Sequence, residues 1–257
     1  LGLGTGFYRL GPLLSGSGGG TVSTCGPHLW SGKGWCYLDA TESVTCVKML
    51  HWYKNNAKVT SNGTGVTQWA DIHGTNHLAP TVTNDANEQP ENGGLDGIRF
   101  QQNTDSLVWD TALALGTFSI YFVHKFRLGQ SVSNEVMFEG AADSLKFASA
   151  NEARIKVNGR HDFDIPSANQ IDEDSKYVFG VERNSDGDIA MYKDNIALLA
   201  KDGDSLSQAI SDEFDLTQVG DPNGDSQWYE IVVFNDALTD EMRNCLYSYL
   251  SNYTGND

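Results

Sequence analysis

The sequence lacks a long apolar run and has few basic residues. No stretch reaches the roughly 18 consecutive apolar residues that a membrane-spanning helix requires, so membrane insertion is not expected. The 257 residues contain 17 lysines and arginines against 34 acidic residues, which gives a net charge of −17. Because a nucleic-acid surface needs clustered cations to neutralise phosphates, the composition argues against DNA or RNA as a partner.

Cysteine is also scarce, since four residues in a chain of this length do not form a disulfide scaffold. There is no C-x-x-C pair, which disfavours a zinc ribbon or a redox motif. Cys25, Cys36 and Cys46 cluster near one end. A Cys25–Cys36 bridge is one interpretation, and free thiols in a reducing cytosol are the simpler one. Cys245 stands alone and is expected to be a small, buried core residue.

Acidic residues are absent from the first 38 positions, where Arg9 and Lys33 are the only lysine or arginine side chains. The first 34 residues hold 11 of the 27 glycines, and such a segment loses too much backbone entropy to fold alone. Large apolar side chains occur there too, which a flexible linker would lack. The segment therefore either orders against a partner or is a disordered tail. The candidate partner-binding residues are Leu3, Phe7, Tyr8, Leu10, Leu13, Leu14, Trp30 and Trp35.

From Val47 onward the sequence changes to short β-type runs separated by turn residues, which is typical of an antiparallel sandwich. Residues 118–126 alternate as a half-buried strand should, and residues 184–187 form the kind of turn that joins a hairpin. We therefore divide the chain into a Gly-rich anchoring arm and junction, residues 1–46, and an all-β antiparallel sandwich of the jelly-roll type, residues 47–257.

One helix is indicated near the C-terminus. Thr239 can cap its first turn, and Asp240 and Glu241 suit the positive end of the helix dipole. Five residues then recur on a single apolar face: Met242, Cys245, Leu246, Tyr249 and Leu250.

Three parts of the sequence contain recognisable motifs. Residues 51–53, 66–71 and 76–78 read W-Y…V-x-x-W-x-D…N-H, residues 92–100 end in I-R-F, and residues 229–241 form a strand and turn before the helix. Together they resemble the concanavalin A-like lectin/glucanase superfamily, in particular its laminin-G-like modules. The resemblance implies a jelly roll, a fold that supports lectins, enzymes and scaffolds alike.

The opening, LGLGTGFYRLG, looks like the start of virion proteins of tailed phages, especially marine ones, in which a Gly-rich leader precedes a laminin-G-like domain. The resemblance implies a non-enzymatic virion protein, assembled in the host cytoplasm and displayed as a head decoration, head fibre or tail component. Its partners would be other virion proteins, contacted through the arm, and a homo-oligomer would be compatible with this role. The alternative is a carbohydrate-binding, lectin-like module that adsorbs to a host-surface glycan.

Glu135 and Glu139 are the candidates for glucanase chemistry, since some members of the superfamily place carboxylates along one strand as E-x-D-x-E. Here Met137 replaces the central acid. A retaining hydrolase holds its two carboxyl groups about 5 Å apart, and positions i and i+4 of a strand are more than twice as far apart. Two solvated glutamates on one strand face are expected, and no catalytic residue is assigned.

The histidines show no pattern of a metal or catalytic site. His73 and His77 are four residues apart, but the residues between them predict a loop, and there is no third ligand. His51, His124 and His161 have no sequence-local partner that would mark a triad.

Two acidic turns raise the question of calcium. Residues 184–188 and 221–225 present oxygen ligands at alternate positions, which Ca²⁺ favours. Both lack the EF-hand glycine, and such clusters are mostly ordinary turns. No cofactor is therefore expected, with Ca²⁺ as the alternative.

Six tryptophans could contribute a platform that stacks on sugar rings. Trp52, Trp69 and Trp228 lie in strand patterns and are predicted to be core residues. Trp30 and Trp35 lie in the Gly-rich junction and are the better candidates for a contact surface, whose partner is a protein or a glycan.

Overall fold

The computed structural model describes residues 35–38, 44–81, 89–101, 105–127, 132, 134–157, 159–201, 207, 209–220 and 225–253. Its strands are β1 (Trp35–Leu38), β2 (Val44–Val47), β3 (Met49–Lys54), β4 (Val59–Ser61), β5 (Val66–Trp69), β6 (Leu78–Ala79), β7 (Glu91–Asn92), β8 (Ile98–Phe100), β9 (Leu107–Leu115), β10 (Phe118–Phe126), β11 (Glu135–Glu139), β12 (Ser144–Ser149), β13 (Glu152–Lys156), β14 (Arg160–Asp164), β15 (Lys176–Arg183), β16 (Ile189–Lys193), β17 (Ile196–Ala197), β18 (Leu199–Ala200), β19 (Phe214–Val219) and β20 (Ser226–Phe234). The α-helix of the described residues, α1, spans Asp240–Leu250.

Two antiparallel sheets form the sandwich. The first has the order β17-β16-β15-β10-β20-β8-β7, with β3 also paired to β20. The second has the order β18-β14-β13-β12-β11-β19-β9-β6-β5-β4. Strands β1 and β2 pair only with each other among the described residues. The predicted all-β antiparallel sandwich with a short C-terminal helix is confirmed.

The central strand β10 explains why the first sheet is buried on both faces. Phe118, Ile120 and Phe122 point into the core between the two sheets. Tyr121 and Val123, on the opposite face of the same strand, belong to a second apolar cluster that includes α1. The prediction of a half-buried strand is therefore wrong for residues 118–126, because the cluster that includes α1 covers the face that would otherwise meet solvent.

The sandwich core is built around packed aromatic rings. Phe122 stacks on Trp228, with ring centroids 5.2 Å apart, and meets Phe138 of the other sheet edge-on at 5.1 Å. Trp69 and Trp228 are fully buried, as predicted. Trp52 is only half-buried, because it lies on the face of β3 that packs against the second cluster. Each fully buried large apolar side chain stabilises the fold by about 1.5–3 kcal/mol.

Helix α1 covers the outer face of the first sheet with the predicted apolar stripe. The side chain of Thr239 accepts a hydrogen bond from the amide of Met242 at 3.3 Å, so the predicted N-cap is confirmed. Met242, Leu246 and Leu250 are buried against the sheet. Tyr249 is half-buried, and its hydroxyl donates to Glu230 Oε1 at 3.0 Å.

A buried ion pair fixes the helix on the sheet. Arg243 Nη2 lies 3.1 Å from Glu182 Oε2, and the hydroxyl of Tyr121 donates to Glu182 Oε1 at 2.6 Å. Burial opposes the charged form of Arg243, but its hydrogen bonds and attraction to Glu182 raise the pKa of the guanidinium above its usual value. The pair adds a directional contact between α1 and β15 to an interface that is mostly apolar.

Cys245 is disulfide-bonded. The expectation of free thiols is therefore wrong for this residue, although its burial in the helix stripe is confirmed. Helix α1, which contains Cys245, lies beside β1 in the fold. The spacing of the cysteines in the sequence does not indicate that contact. The suggested Cys25–Cys36 bridge lies outside the described side chains.

A bulge in β11 overturns the expectation for its two glutamates. The register with β12 shifts between Val136 and Phe138, and an extra residue in a strand changes the face of every residue that follows it. Glu135 is only 1% exposed and lies 3.8 Å from Nε2 of His124 in the core. Glu139 is half-buried, and its carboxylate accepts a hydrogen bond from the side-chain amide of Gln218 at 2.9 Å. The two carboxylates are neither both solvated nor on one face.

The described residues include no helix that is long and apolar enough to cross a membrane. Strand β2 runs across the predicted boundary between residues 46 and 47. The division into arm and sandwich stays a prediction, because residues 1–34 lie outside the described part of the chain.

Candidate ligand-binding face

The outer face of the second sheet is open along β12, β13 and β14. Leu145, Ile155 and Phe163 of these strands point into the sandwich core and are fully buried or nearly so. The side chains next to them along each strand therefore point outward. No described element covers this face, whereas α1 covers the outer face of the first sheet.

Cross-strand register arranges the outward side chains as a grid of two rows and three strands. The rows are Lys146, Arg154 and Asp162, and Ser144, Lys156 and Arg160. We call these six residues the basic face. Neighbouring strands lie about 4.8 Å apart and alternate residues of one strand about 6.7 Å apart, so the grid has the dimensions of one or two sugar rings.

Asp162 binds two arginines of the basic face. Its Oδ1 lies 2.6 Å from Arg154 Nε, and its Oδ2 lies 2.5 Å from Arg160 Nη2 and 2.8 Å from Arg160 Nε. Burial would raise the pKa of Asp162, but the hydrogen bonds from Arg160 and Arg154 lower it to about 2. The carboxylate is therefore charged at neutral pH and sets the orientation of both guanidinium groups.

Glu152 closes one side of the face. Its Oε1 accepts a hydrogen bond from Arg154 Nη2 at 2.9 Å, and its Oε2 pairs with Lys201. Arg154 thus uses two of its nitrogens within the protein, one for Asp162 and one for Glu152.

The cations of the face are not fully neutralised. Lys156 is exposed and has no ion-pair partner among the described residues. Burial first, and then repulsion from Arg154, Lys156 and Arg160, lowers the pKa of Lys146. Attraction to Asp162 opposes this shift. Three other cations therefore act on Lys146 in a chain whose net charge is −17.

The register places like charges directly opposite each other twice. Lys146 faces Arg154, and Lys156 faces Arg160. Such pairs destabilise a sheet, and residues that break a local rule are expected at functional positions. A bound anion would relieve the repulsion, and the planar guanidinium fork matches a carboxylate geometrically.

A second polar cluster surrounds Asp71, in the first motif of the sequence. Its carboxylate accepts hydrogen bonds from His51 Nδ1 at 2.7 Å and from the amides of Trp52 and His73 at 3.0 Å. Burial would raise the pKa of Asp71, but the bonds from His51, Trp52 and Gly74 lower it. Sequence reasoning found no partner for His51 because Asp71 is 20 residues away.

The rest of this cluster fastens the loop between β5 and β6 to its neighbours. The Tyr53 hydroxyl donates to the carbonyl of Asn76 and accepts from Trp109 Nε1 at 3.0 Å. The Asn76 side chain exchanges two hydrogen bonds of 2.8 Å with the backbone of Thr111. The motif residues are thus used in internal contacts, which indicates a structural role.

His73 and His77 do not form part of a metal site in the described residues. His77 Nδ1 accepts a hydrogen bond from the Asp71 amide at 3.1 Å. No group of three histidine, cysteine or acidic side chains there could bind a metal ion. The expectation that no cofactor is used stays a prediction.

Side-chain oxygens of the two acidic turns bind groups of the protein itself. The side-chain oxygen of Asn184 accepts from the amides of Asp186 and Asp188 at 2.9 Å. Asp225 pairs with Arg99 at 2.6 Å and Arg127 at 3.6 Å. Residues 221–224 lie outside the described chain.

The predicted partner-binding residues are largely untested. Seven of them lie outside the described residues: Leu3, Phe7, Tyr8, Leu10, Leu13, Leu14 and Trp30. Trp35 lies on β1 opposite Val47, but its side chain is outside the described part.

Sequence reasoning missed the basic face. Arg154 and Lys156 stand at alternate positions of β13, and Lys146 lies on β12. That alternation indicates a cationic strand face. The third strand, β14, was not predicted, so the grid was not visible.

No family model and no curated protein matches this sequence. Among solved structures, a Trypanosoma rangeli sialidase with 2,3-difluorosialic acid is 14% identical, with a TM-score of 0.53 over 82% of this chain and 35% of that chain. The same enzyme with sialic acid is 14% identical, with a TM-score of 0.52 over 86% of this chain and 36% of that chain. The ligand-binding domain of botulinum neurotoxin serotype D, in complex with N-acetylneuraminic acid, is 12% identical, with a TM-score of 0.53 over 78% of this chain and 50% of that chain.

These similarities identify the fold. This chain spans about a third of the length of the sialidase structures and half of the neurotoxin domain. The class that these similarities define is an antiparallel β-sandwich, which also occurs as part of the sialidase and neurotoxin structures.

Proposed function

We propose that the sandwich is a non-enzymatic carbohydrate-binding module. The observation that supports this most is the basic face, an open sheet surface on which six outward side chains offer hydrogen-bonding groups at the spacing of sugar rings. Trp69, Trp109 and Trp228 are buried, and the side chains of Trp30 and Trp35, the tryptophans expected to form a contact surface, lie outside the described part of the chain. Recognition on the basic face would depend on polar and charged groups.

The structural neighbours support the same class of ligand. The sialidase and the neurotoxin domain were both solved with sialic acid or a derivative bound. Their similarity extends only to the fold, so the position of a sugar on this chain is argued from its own residues.

The surroundings of the two candidate carboxylates support a role without hydrolysis. Glu135 is buried beside His124, and Glu139 lies beyond the bulge with Gln218 as a neighbour. A retaining pair of carboxylates would need to face one substrate from about 5 Å apart.

A glycan array probed with the full chain tests the proposal. Binding to a defined set of glycans, competed by the free sugar, is the expected result. A chain that is folded by circular dichroism and binds no glycan on the array would overturn it. Release of sugar from a bound glycan would contradict the non-enzymatic part alone.

We also propose, as the second candidate, a display role on a virus particle through residues 1–34. The acid-free, Gly-rich and apolar composition of that segment supports it. Deletion of residues 1–34 is expected to abolish incorporation into particles while the sandwich still folds. Normal incorporation of the truncated chain would overturn it.

A further inference from the structure

We infer that the basic face binds the carboxylate of an acidic sugar, with Arg154, Lys156 and Arg160 as the specificity-determining residues. This inference rests on the proposed carbohydrate-binding function and names its ligand class. A sialic or uronic acid carries one negative charge next to several hydroxyl groups, which suits a face with four cations and a single acid.

The geometry of the face suits a single carboxylate. Arg154 and Arg160 sit on adjacent strands, and both are oriented by Asp162 between them. Groups that are already ordered lose little entropy when a ligand binds. Lys156 stands beside both arginines in the grid and has no ion-pair partner among the described residues, so its ammonium group is available to a ligand.

Ser144 completes the face for a sugar. It lies opposite Lys156 in the second row and is half-buried on β12. A hydroxyl both donates and accepts a hydrogen bond, which matches the hydroxyl groups of a pyranose ring. A carboxylate at the arginines would place the rest of the ring towards this residue, about two strand spacings or 10 Å away at most.

The charge distribution argues against a polyanion. Glu152, Asp162 and Asp164 are interleaved with the cations, and the net charge of the chain is −17. Surface charges act over about 8–10 Å at physiological ionic strength. A nucleic acid or a heavily sulfated polymer would extend beyond the face into negative potential, whereas a monosaccharide carboxylate would stay within it.

The electrostatic state of Lys146 agrees with an anion site. Its pKa is lowered by burial and by repulsion from the other three cations of the face. A bound carboxylate would reverse the second effect. Ligand binding is therefore expected to raise the pKa of Lys146, which NMR titration can follow.

The test measures binding of the full chain to four probes by isothermal titration calorimetry: sialyllactose, trigalacturonic acid, sialyllactose methyl ester and lactose. We expect binding to at least one of the two acids, and at least tenfold weaker binding to the methyl ester and to lactose. The ester keeps every hydroxyl group, removes the charge and adds one methyl group. Equal affinity for sialyllactose and its ester, where sialyllactose binds, would overturn the inference.

Three variants locate the site. Lys156→Gln combined with Arg160→Gln is expected to weaken binding of the acid at least tenfold, and Lys156→Arg is expected to bind within threefold of the wild type. Lys48→Gln removes an exposed cation outside the second sheet and is the matched control. Thermal unfolding of each variant checks that it is folded. Unchanged binding by the folded double variant would overturn the inference.

The remaining outcomes separate this inference from the proposed function. Binding of neutral glycans alone would overturn the acidic-sugar inference and leave the carbohydrate-binding proposal intact. Binding of an acidic peptide in place of any glycan, or binding of no glycan, would overturn both.

Discussion

The carboxylate of Asp71 accepts hydrogen bonds from the side chain of His51 and from the amides of Trp52 and His73. Removal of a buried acceptor leaves several donors without partners. We expect Asp71→Ala to lower the free energy of unfolding by about 3 kcal/mol, measured by urea denaturation.

His51→Ala is the matched control for Asp71, because it removes one donor and keeps the acceptor. It is expected to lower the free energy of unfolding by about 1 kcal/mol. If both variants had the same effect, the hydrogen bonds from the backbone amides would contribute nothing measurable. The interpretation of the motif as a fastening for the loop would then be wrong.

His124 is fully buried among the rings of Phe122, Phe126 and Trp228, and Glu135 is the ionisable group that faces it. Burial lowers the pKa of His124 from 6.5 to about 3. The unfolded chain therefore binds a proton that the folded chain does not, at any pH between these values. Stability from this residue is present above the unfolded pKa and is lost as the pH falls from 6.5 towards 3.

From pH 7 to pH 5, the neutral His124 is expected to reduce the free energy of unfolding by about 2 kcal/mol relative to a chain without it. His124→Phe removes the titration and keeps a ring of similar size. Urea denaturation of both proteins at the two pH values measures the difference. Parallel pH profiles would show that His124 gains its proton in the folded state.

At the scale of the element, α1 depends on its cap. The Thr239 side chain accepts from the Met242 amide, and loss of an N-cap costs about 1 kcal/mol. We expect Thr239→Ala to lower the free energy of unfolding by that amount, measured by thermal or chemical denaturation. Ser248→Ala, at an exposed position of the same helix, is expected not to lower it, because alanine has the higher helix propensity.

The elements that the sequence predicted are those with strong local periodicity. Strand β10, strand β20 and helix α1 are long, and the apolar pattern of each one repeats several times along the element. Strand β19 was missed although Phe214 and Leu216 alternate with polar residues, so that signal was available. The two-residue strands β17 and β18 have no local signal, because their exposed Ile196 and Leu199 form no pattern.

The candidate site was harder to predict than the fold, since it depends on register between strands. Strand β14 contains Arg160, Asp162 and Asp164, and charged residues of this kind are weak strand formers in isolation. Its pairing with β13 is determined by Phe163, which is buried in the core. A shift of one residue would reverse every side chain and abolish the grid. The bulge at Met137, which moved the two glutamates apart, was invisible for the same reason.

At the scale of the whole molecule, the described part of an acidic chain presents a small cationic surface. The net charge argued against nucleic acid as a partner. A sum over the chain cannot show that four of its 17 basic residues meet on three adjacent strands. The fold collects them, because each occupies an outward position beside a core residue.

The disulfide at Cys245 is the long-range covalent link that the sequence left undecided. We expect Cys245 to resist iodoacetamide in denaturant without reductant and to be alkylated after reduction, as read by peptide mass spectrometry.

Reduction, or Cys245→Ala, is expected to lower the free energy of unfolding by about 2–4 kcal/mol. Met242→Leu, at a neighbouring buried position of the stripe, is the control for packing and is expected to change it by less than about 1.5 kcal/mol. Alkylation of Cys245 in the unreduced protein would show that the bond is absent in solution.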